Sequence, residues 1–410
     1  MHVVRTGREL ITTHRRTSYA RHPVATADQC DVGRVTIDIL PEDALLEIFD
    51  FYLHDEYIDE WYKLVHVCRK WRKVVLGSPH RLNLGLICNV RTPVRKTLYI
   101  WPVLPIFVWS YDHEKWGMDN IFAALEHVDR VCQLALLDIP SSELEKVLAA
   151  MQQPFPALTD LSLEFCDETP LVVSPSFLGG SAPLLQSLYL SNIPFPELPN
   201  LLSSATHLVD LSLSNIPYSG HFSPEMMATC LSALTRLKSI KIEFKSPRSR
   251  PVWKSRLPPP RTLLSFLTRL SFKGVCEYLE YLVARIDASL LDRLEITFFH
   301  QLIFDNPQLA QSFCRTPKIK AREGARVGLT KPCVWVTLPH TIIPQTLLIF
   351  SHNALNFSIL CSQSDWQLSS LVQVCSSSFP QALVHTAEDL YIYEEKTSLM
   401  PWQTSRATGG

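Results

Sequence analysis

Tyr189, Lys241, Arg269, Lys273 and Arg293 are the side chains of this 410-residue sequence best placed to engage another molecule. Each lies within or beside a phrase that recurs along the chain, apolar-x-x-apolar-x-apolar, and so shares a structural position with the others. The chemistry they offer is recognition. Guanidinium and ammonium groups make charge-assisted hydrogen bonds to carboxylate or phosphate, so a charged or phosphorylated segment is the ligand class they suit. Signatures of catalysis are missing: there is no G-x-S-x-G, no G-x-x-x-x-G-K-[ST], no G-x-G-x-x-G and no H-E-x-x-H. The 14 histidines have no ligand spacing, and the 11 cysteines, an odd number, include no C-x-x-C pair. These patterns predict no enzyme activity, no cofactor and no metal. Lys and Arg total 39 against 40 Asp and Glu, so net charge favours no nucleic acid, and any electrostatic binding must be local.

The phrase itself dictates what must position those residues. Its final apolar pairs are Leu134/Leu136, Leu161/Leu163, Leu188/Leu190, Leu211/Leu213, Ile240/Ile242, Leu270/Phe272 and Leu294/Ile296. In a strand, residues two apart face one way, so both members of each pair point inward and their neighbours outward. The phrases follow one another at about 23 to 30 residues, the period of leucine-rich repeats, which predicts a solenoid of stacked short parallel strands. Helical fillers are expected at "SSELEKVLAAM" and "CEYLEYLVARI", and weaker strands at "LPIFVWS", "VWVTL", "LNFSILC" and "DLYIYEE". The asparagine or cysteine usual three residues after the second leucine appears only as Cys166; Ile139, Ile193, Ile216 and Val275 occupy it elsewhere. The outward positions run from acidic and hydroxylic (Asp160, Glu164, Ser191, Asp210, Ser214) to basic (Lys241, Arg269, Lys273, Arg293). A basic, proline-rich stretch, 245–262, reads as a loop inserted between repeats, with Ser246-Pro247 and "RLPPPR" as short motifs.

Near the start, "ILPEDALLEIF" reads as a helix opened by Pro41 and by the acids Glu42 and Asp43 at its positive end. Leu45, Ile48, Phe49 and Tyr52 form one stripe on it. "EWYKLVHVCRKWRKVV" then reads as a single second helix with Trp61, Leu64, Val65, Cys68, Trp71 and Val75 along one side. Two such helices cannot bury both stripes in so small a unit, so the surplus requires a partner.

Leu40-Pro41 followed by Val67-Cys68-Arg69-Lys70-Trp71-Arg72 resembles an F-box. With the repeats behind it, the chain from about Ile37 to Tyr393 is similar to F-box proteins of mushroom-forming fungi. That resemblance implies a substrate-recognition subunit of a Skp-cullin-F-box ubiquitin ligase, cytoplasmic or nuclear. It docks on a Skp-type adaptor through Leu40, Pro41, Leu45, Ile48, Phe49, Leu64, Cys68 and Trp71, and through it on a cullin-RING ligase; an unknown protein substrate sits on the repeats. The alternative is a leucine-rich-repeat scaffold that recruits no ligase, its hairpin serving as a cap on the repeats. The expected fold class is therefore α/β: a small helical F-box, then a leucine-rich-repeat-like solenoid of short parallel strands with helices or loops on the convex side. The expected boundaries are a basic tail over 1–33, the F-box over 34–85, repeats over 86–399 and a flexible tail over 400–410. No apolar run suits a signal peptide or a membrane span.

Overall fold

The computed structural model describes residues 39–54, 61–79, 81–82, 84–89, 93–101, 104–110, 118–139, 141–165, 173–247, 261–299, 307–316, 324–330, 333–339, 353–360, 369 and 389–394. The tails expected over 1–33 and 400–410, Cys166 and most of the inserted loop lie outside them. Three helices come first: α1 (Glu42–His54), α2 (Trp61–Val65) and α3 (Arg69–Gly77). Strands and helices then largely alternate: β1 (Leu86–Cys88), α4 (Val94–Ile100), β2 (Ile106–Ser110), α5 (Met118–Leu125), β3 (Val131–Ile139), α6 (Ser141–Ala150), β4 (Asp160–Phe165) and β5 (Ser187–Ser191). Next are α7 (Leu198–Ser204), β6 (Asp210–Ile216), α8 (Pro224–Ala233), β7 (Ser239–Phe244), β8 (Thr262–Leu263), β9 (Arg269–Gly274) and α9 (Cys276–Val283). The series ends with β10 (Ile286–Asp287), β11 (Arg293–Phe299), α10 (Pro307–Arg315), β12 (Gly324–Thr330), β13 (Cys333–Pro339), β14 (Asn353–Leu360) and β15 (Asp389–Glu394).

Thirteen of these strands form one sheet, ordered β1-β2-β3-β4-β5-β6-β7-β9-β11-β14-β13-β12-β15, and the first ten of them are parallel. The repeated phrase sets the register. Leu134, Leu161, Leu188, Leu211, Ile240, Leu270, Leu294 and Leu355 stand side by side across eight strands, and all are buried. The first apolar residue of each phrase, from Val131 through Leu158, Leu185, Leu208, Leu237 and Leu267 to Leu291, is buried as well. Residues from the helices fill the same core, so one face of the sheet is covered and the polar face looks away from them. Burying a leucine contributes about 1.5–3 kcal/mol, and a column this long specifies register strongly, because a one-residue slip would turn the whole apolar set outward.

Repeat stacking also satisfies the backbone before each strand. Thr159, Gln186, Val209, Lys238, Thr268 and Asp292 donate their N–H groups to the carbonyls of Cys132, Thr159, Gln186, Val209, Lys238 and Thr268, at 2.7–3.0 Å. Deeper in the core, Phe244, Phe272, Phe298 and Phe357 form a column of rings with successive centroids 6.2, 6.4 and 5.3 Å apart. Helix α8 begins where Ser223 accepts from the Met226 N–H with Pro224 and Glu225 behind it, a complete start signal.

Three expectations need correction. The strands are not all parallel: β13 runs antiparallel to both β14 and β12. Only Lys331 and Pro332 separate β12 from β13, and so short a connection can join only antiparallel neighbours, since a parallel crossover needs a dozen residues or more. The second helix of the hairpin is two, because Cys68 is extended (φ −155°, ψ 173°) and its thiol accepts from the Trp71 N–H at 3.5 Å, which starts α3 afresh. Finally, the α1 stripe divides: Leu45 and Phe49 face inward with Leu46, while Ile48 and Tyr52 are exposed.

Candidate docking surfaces

The hairpin has a core of its own, built from Leu45, Leu46, Phe49, Trp61, Leu64, Val65, Val74 and Val75, and extended by Leu82, Leu84, Leu86 and Leu104. Ile106 and Val108 belong to the separate core of the repeats. The motif residues account for how the hairpin is fastened. Lys70 Nζ donates to the Leu40 carbonyl at 2.8 Å, Arg72 Nε to the Val65 carbonyl at 2.9 Å, and the Trp71 ring packs on Phe49 with centroids 4.7 Å apart. Trp61 Nε1 donates to the Gly85 carbonyl at 2.8 Å, tying α2 to the residue before β1.

Helix α1 consequently has three sides. At 3.6 residues per turn, Leu45, Leu46 and Phe49 share one arc with Leu53 and are packed into the hairpin core. Asp43, Glu47 and Asp50 share a second, acidic arc, where Arg81 pairs with Asp43 and Glu47. Ala44, Ile48, Phe51 and Tyr52 share the third, on which Ile48 is 45% exposed and Phe51 77%. Ile39, Tyr62 and Val67 add further exposed apolar surface to the same hairpin. An amphipathic helix of a finished core buries one arc; this helix offers a second.

Of the eight residues expected at a docking contact, Leu45, Phe49 and Leu64 are buried in the hairpin core. Leu40, Cys68 and Trp71 are half-buried, and Pro41 and Ile48 are exposed. Phe51, which the sequence reading passed over, is the most exposed large side chain of α1. Its signal was available: it lies three residues after Ile48, on a side that the inward stripe does not use.

The second surface is the polar face of the sheet. Register places Asp160, Ser187, Asp210, Ser239, Arg269 and Arg293 in one row, and Ser162, Tyr189, Ser212, Lys241, Ser271 and Glu295 in the next. All five residues expected at a substrate contact thus lie on one face. Most are already engaged: Arg269 pairs with Asp210 at 3.3 Å, Lys241 with Glu243 at 3.1 Å, the Tyr189 hydroxyl bonds Glu164 at 3.3 Å, and Lys273 lies 6.0 Å from the centroid of the Phe299 ring. Asn192 and Asn215, each two residues after a phrase's last leucine, take left-handed backbone (φ 59° and 51°), and Asn192 Nδ2 donates to the Phe165 carbonyl at 3.1 Å. Asparagine thus bridges neighbouring repeats from a position one residue earlier than the sequence reading looked for it.

Among the described residues, no three His, Cys, Asp or Glu side chains come together as metal ligands, and no helix is long and apolar enough to cross a membrane. Comparison of the sequence with known protein families and with curated proteins found no match.

Proposed function

We propose that the chain is a two-ended adaptor: its N-terminal hairpin docks on one protein and the polar sheet face holds another. The observation that carries this reading is the third arc of α1, where Ile48, Phe51 and Tyr52 remain in solvent after the hairpin has completed its own core. The F-box resemblance of Leu40-Pro41 and Val67 to Arg72 names the first partner as the adaptor subunit of a Skp-cullin-F-box ubiquitin ligase. The leucine-rich-repeat pattern makes the sheet the target-binding half. In this role the chain supplies proximity rather than catalysis, raising the effective concentration of a target lysine near a ubiquitin-loaded enzyme carried by the ligase.

The rival reading is a repeat scaffold whose hairpin only caps the sheet. The shared core with Leu86 and Leu104 and the Trp61-to-Gly85 hydrogen bond favour it. Capping uses the inward arc, however, and leaves the third arc unexplained. Titrating the purified full chain with the ligase adaptor decides between them. Tight binding abolished in an Ile48→Asp, Phe51→Asp variant that keeps its circular dichroism spectrum supports the adaptor role. Absence of binding by the folded wild type overturns it and leaves the scaffold.

A further inference from the structure

We infer that the polar face of β4–β7 seats the ammonium group of a lysine side chain projecting from a bound protein, with Glu164 as its main counter-charge and Ser214 as its neutral acceptor. This deepens the reading of the sheet as the target-binding half and rests on it.

The argument starts from one row of side chains. Glu164 on β4 stands opposite Ser191 on β5, which stands opposite Ser214 on β6; Ser214 follows Leu213, the partner of Ile242, and Glu243 follows Ile242 on β7. Two carboxylates therefore bracket two hydroxyls, although the β6–β7 register shifts just after Leu213, so Ser214 has no direct partner on β7. The Ser191 hydroxyl donates to Glu164 at 3.4 Å, and Tyr189, in the adjoining row, donates to the other oxygen of the same carboxylate at 3.3 Å. Ser214 is 96% buried by its 4% exposure, shares the outward parity of Asp210 and Ser212, and its hydroxyl has no hydrogen-bond partner among the described residues. A buried hydroxyl left without a partner costs about 1–3 kcal/mol, which a donor brought within its reach would recover.

The chemistry selects that donor. Among the described residues Glu164 meets only neutral donors, and the one base on β4–β7 facing outward, Lys241, is paired with Glu243. Of the four carboxylates that face outward on these strands, Asp210 is paired with Arg269 of β9 and Glu243 with Lys241, while Asp160 and Glu164 meet only neutral donors among the described residues. The Tyr189 phenol, bonded to Glu164 at 3.3 Å, is pushed up first by burial and then by the charges of Glu164 and Glu243, opposed by the Ser191 hydrogen bond. A half-buried aromatic beside a carboxylate suits a cation, and an ammonium, with three donors and no acceptor, matches carboxylate and hydroxyl oxygens together. A divalent metal is a poor occupant, because no three ligating side chains come together there among the described residues.

The test is fluorescence anisotropy of the full chain with three labelled decapeptides of equal length: lysine-rich, the same with every lysine acetylated, and glutamate-rich. The inference requires the lysine peptide alone to bind, and Glu164→Gln and Ser214→Ala each to weaken it, the former by about tenfold, as expected for loss of one ionic partner. Equal binding of the acetylated peptide, or lysine-peptide binding unchanged in both variants, overturns it. If only the glutamate peptide binds, and Arg269→Gln abolishes that, the sheet remains a target surface while the lysine seat is refuted. If none binds, the sheet reading falls with it.

Discussion

Phe49→Ala and Phe51→Ala, two residues apart on α1, should have opposite consequences. Phe49 has no exposed surface and packs against the Trp71 ring at 4.7 Å, so truncation removes a full aromatic side chain from the hairpin core and leaves a cavity. Such a change costs about 3–5 kcal/mol, of which the ring pairing supplies roughly 0.5–1.5 kcal/mol. For a domain stable by about 5–15 kcal/mol, that is a large fraction. Phe51 is 77% exposed, and truncating it should alter stability by no more than about 0.5 kcal/mol while weakening adaptor binding. Urea unfolding followed by far-UV circular dichroism measures the first quantity, and titration with the adaptor the second. A Phe51→Ala variant as unstable as Phe49→Ala would falsify the reasoning, because the third arc would then be packed against the chain itself and unavailable to a partner.

A methyl group at Gly85 would sit 1.8 Å from the buried Phe107 ring, so Gly85→Ala should cost about 1–3 kcal/mol in urea unfolding despite its small size. The Arg269–Asp210 pair is roughly half exposed on both sides, so Arg269→Gln should change the melting temperature negligibly, as an exposed ion pair contributes about 0–1 kcal/mol. Burial pushes the Cys88 thiol up to about 12, opposed by the Arg130 charge; the native state keeps a proton that the unfolded chain releases near 9, so this contribution to stability is intact below pH 9 and lost as pH rises toward 12. Alkylation read by mass spectrometry should accordingly spare Cys88 at pH 8.5 until denaturant is added.

The repeats were legible because a two-residue period and a register column constrain each other. Leu188 and Leu190, for example, have no inward alternative once Leu161 and Leu211 flank the first of them. Helix α6 was readable from "SSELEKVLAAM", and α8 equally so from Ser223-Pro224-Glu225, although that start signal was overlooked. Strand β12 was not, because Gly324 and Gly328 interrupt its apolar pattern. The candidate contacts were harder still. Leu45, Ile48, Phe49 and Tyr52 lie within one apolar sector, and nothing in their spacing reveals that the helix turns so that Leu46 is inward and Ile48 outward. That rotation is set by Trp71 and by the Lys70 contact to Leu40, from a segment about 20 to 30 residues away.

The same rotation dissolves an opposition between capping and docking. If the hairpin met the sheet through the arc that contains Ile48, either role would exclude the other. Instead the capping contacts run from the inward arc through Trp61 and Leu64 to Leu84, Leu86 and Leu104, and Arg81 fastens the acidic arc at Asp43 and Glu47. Both arcs are occupied by the chain's own residues, which holds α1 in a fixed orientation and presents the third arc as a rigid surface. Rigidity favours binding, because side chains ordered in advance lose less entropy on association. Gly85→Ala therefore perturbs more than the first strand: by displacing the carbonyl that anchors Trp61, it should also weaken adaptor binding, although Gly85 lies outside the third arc. Unchanged adaptor affinity in a destabilised Gly85→Ala variant would show that the cap and the docking arc are independent.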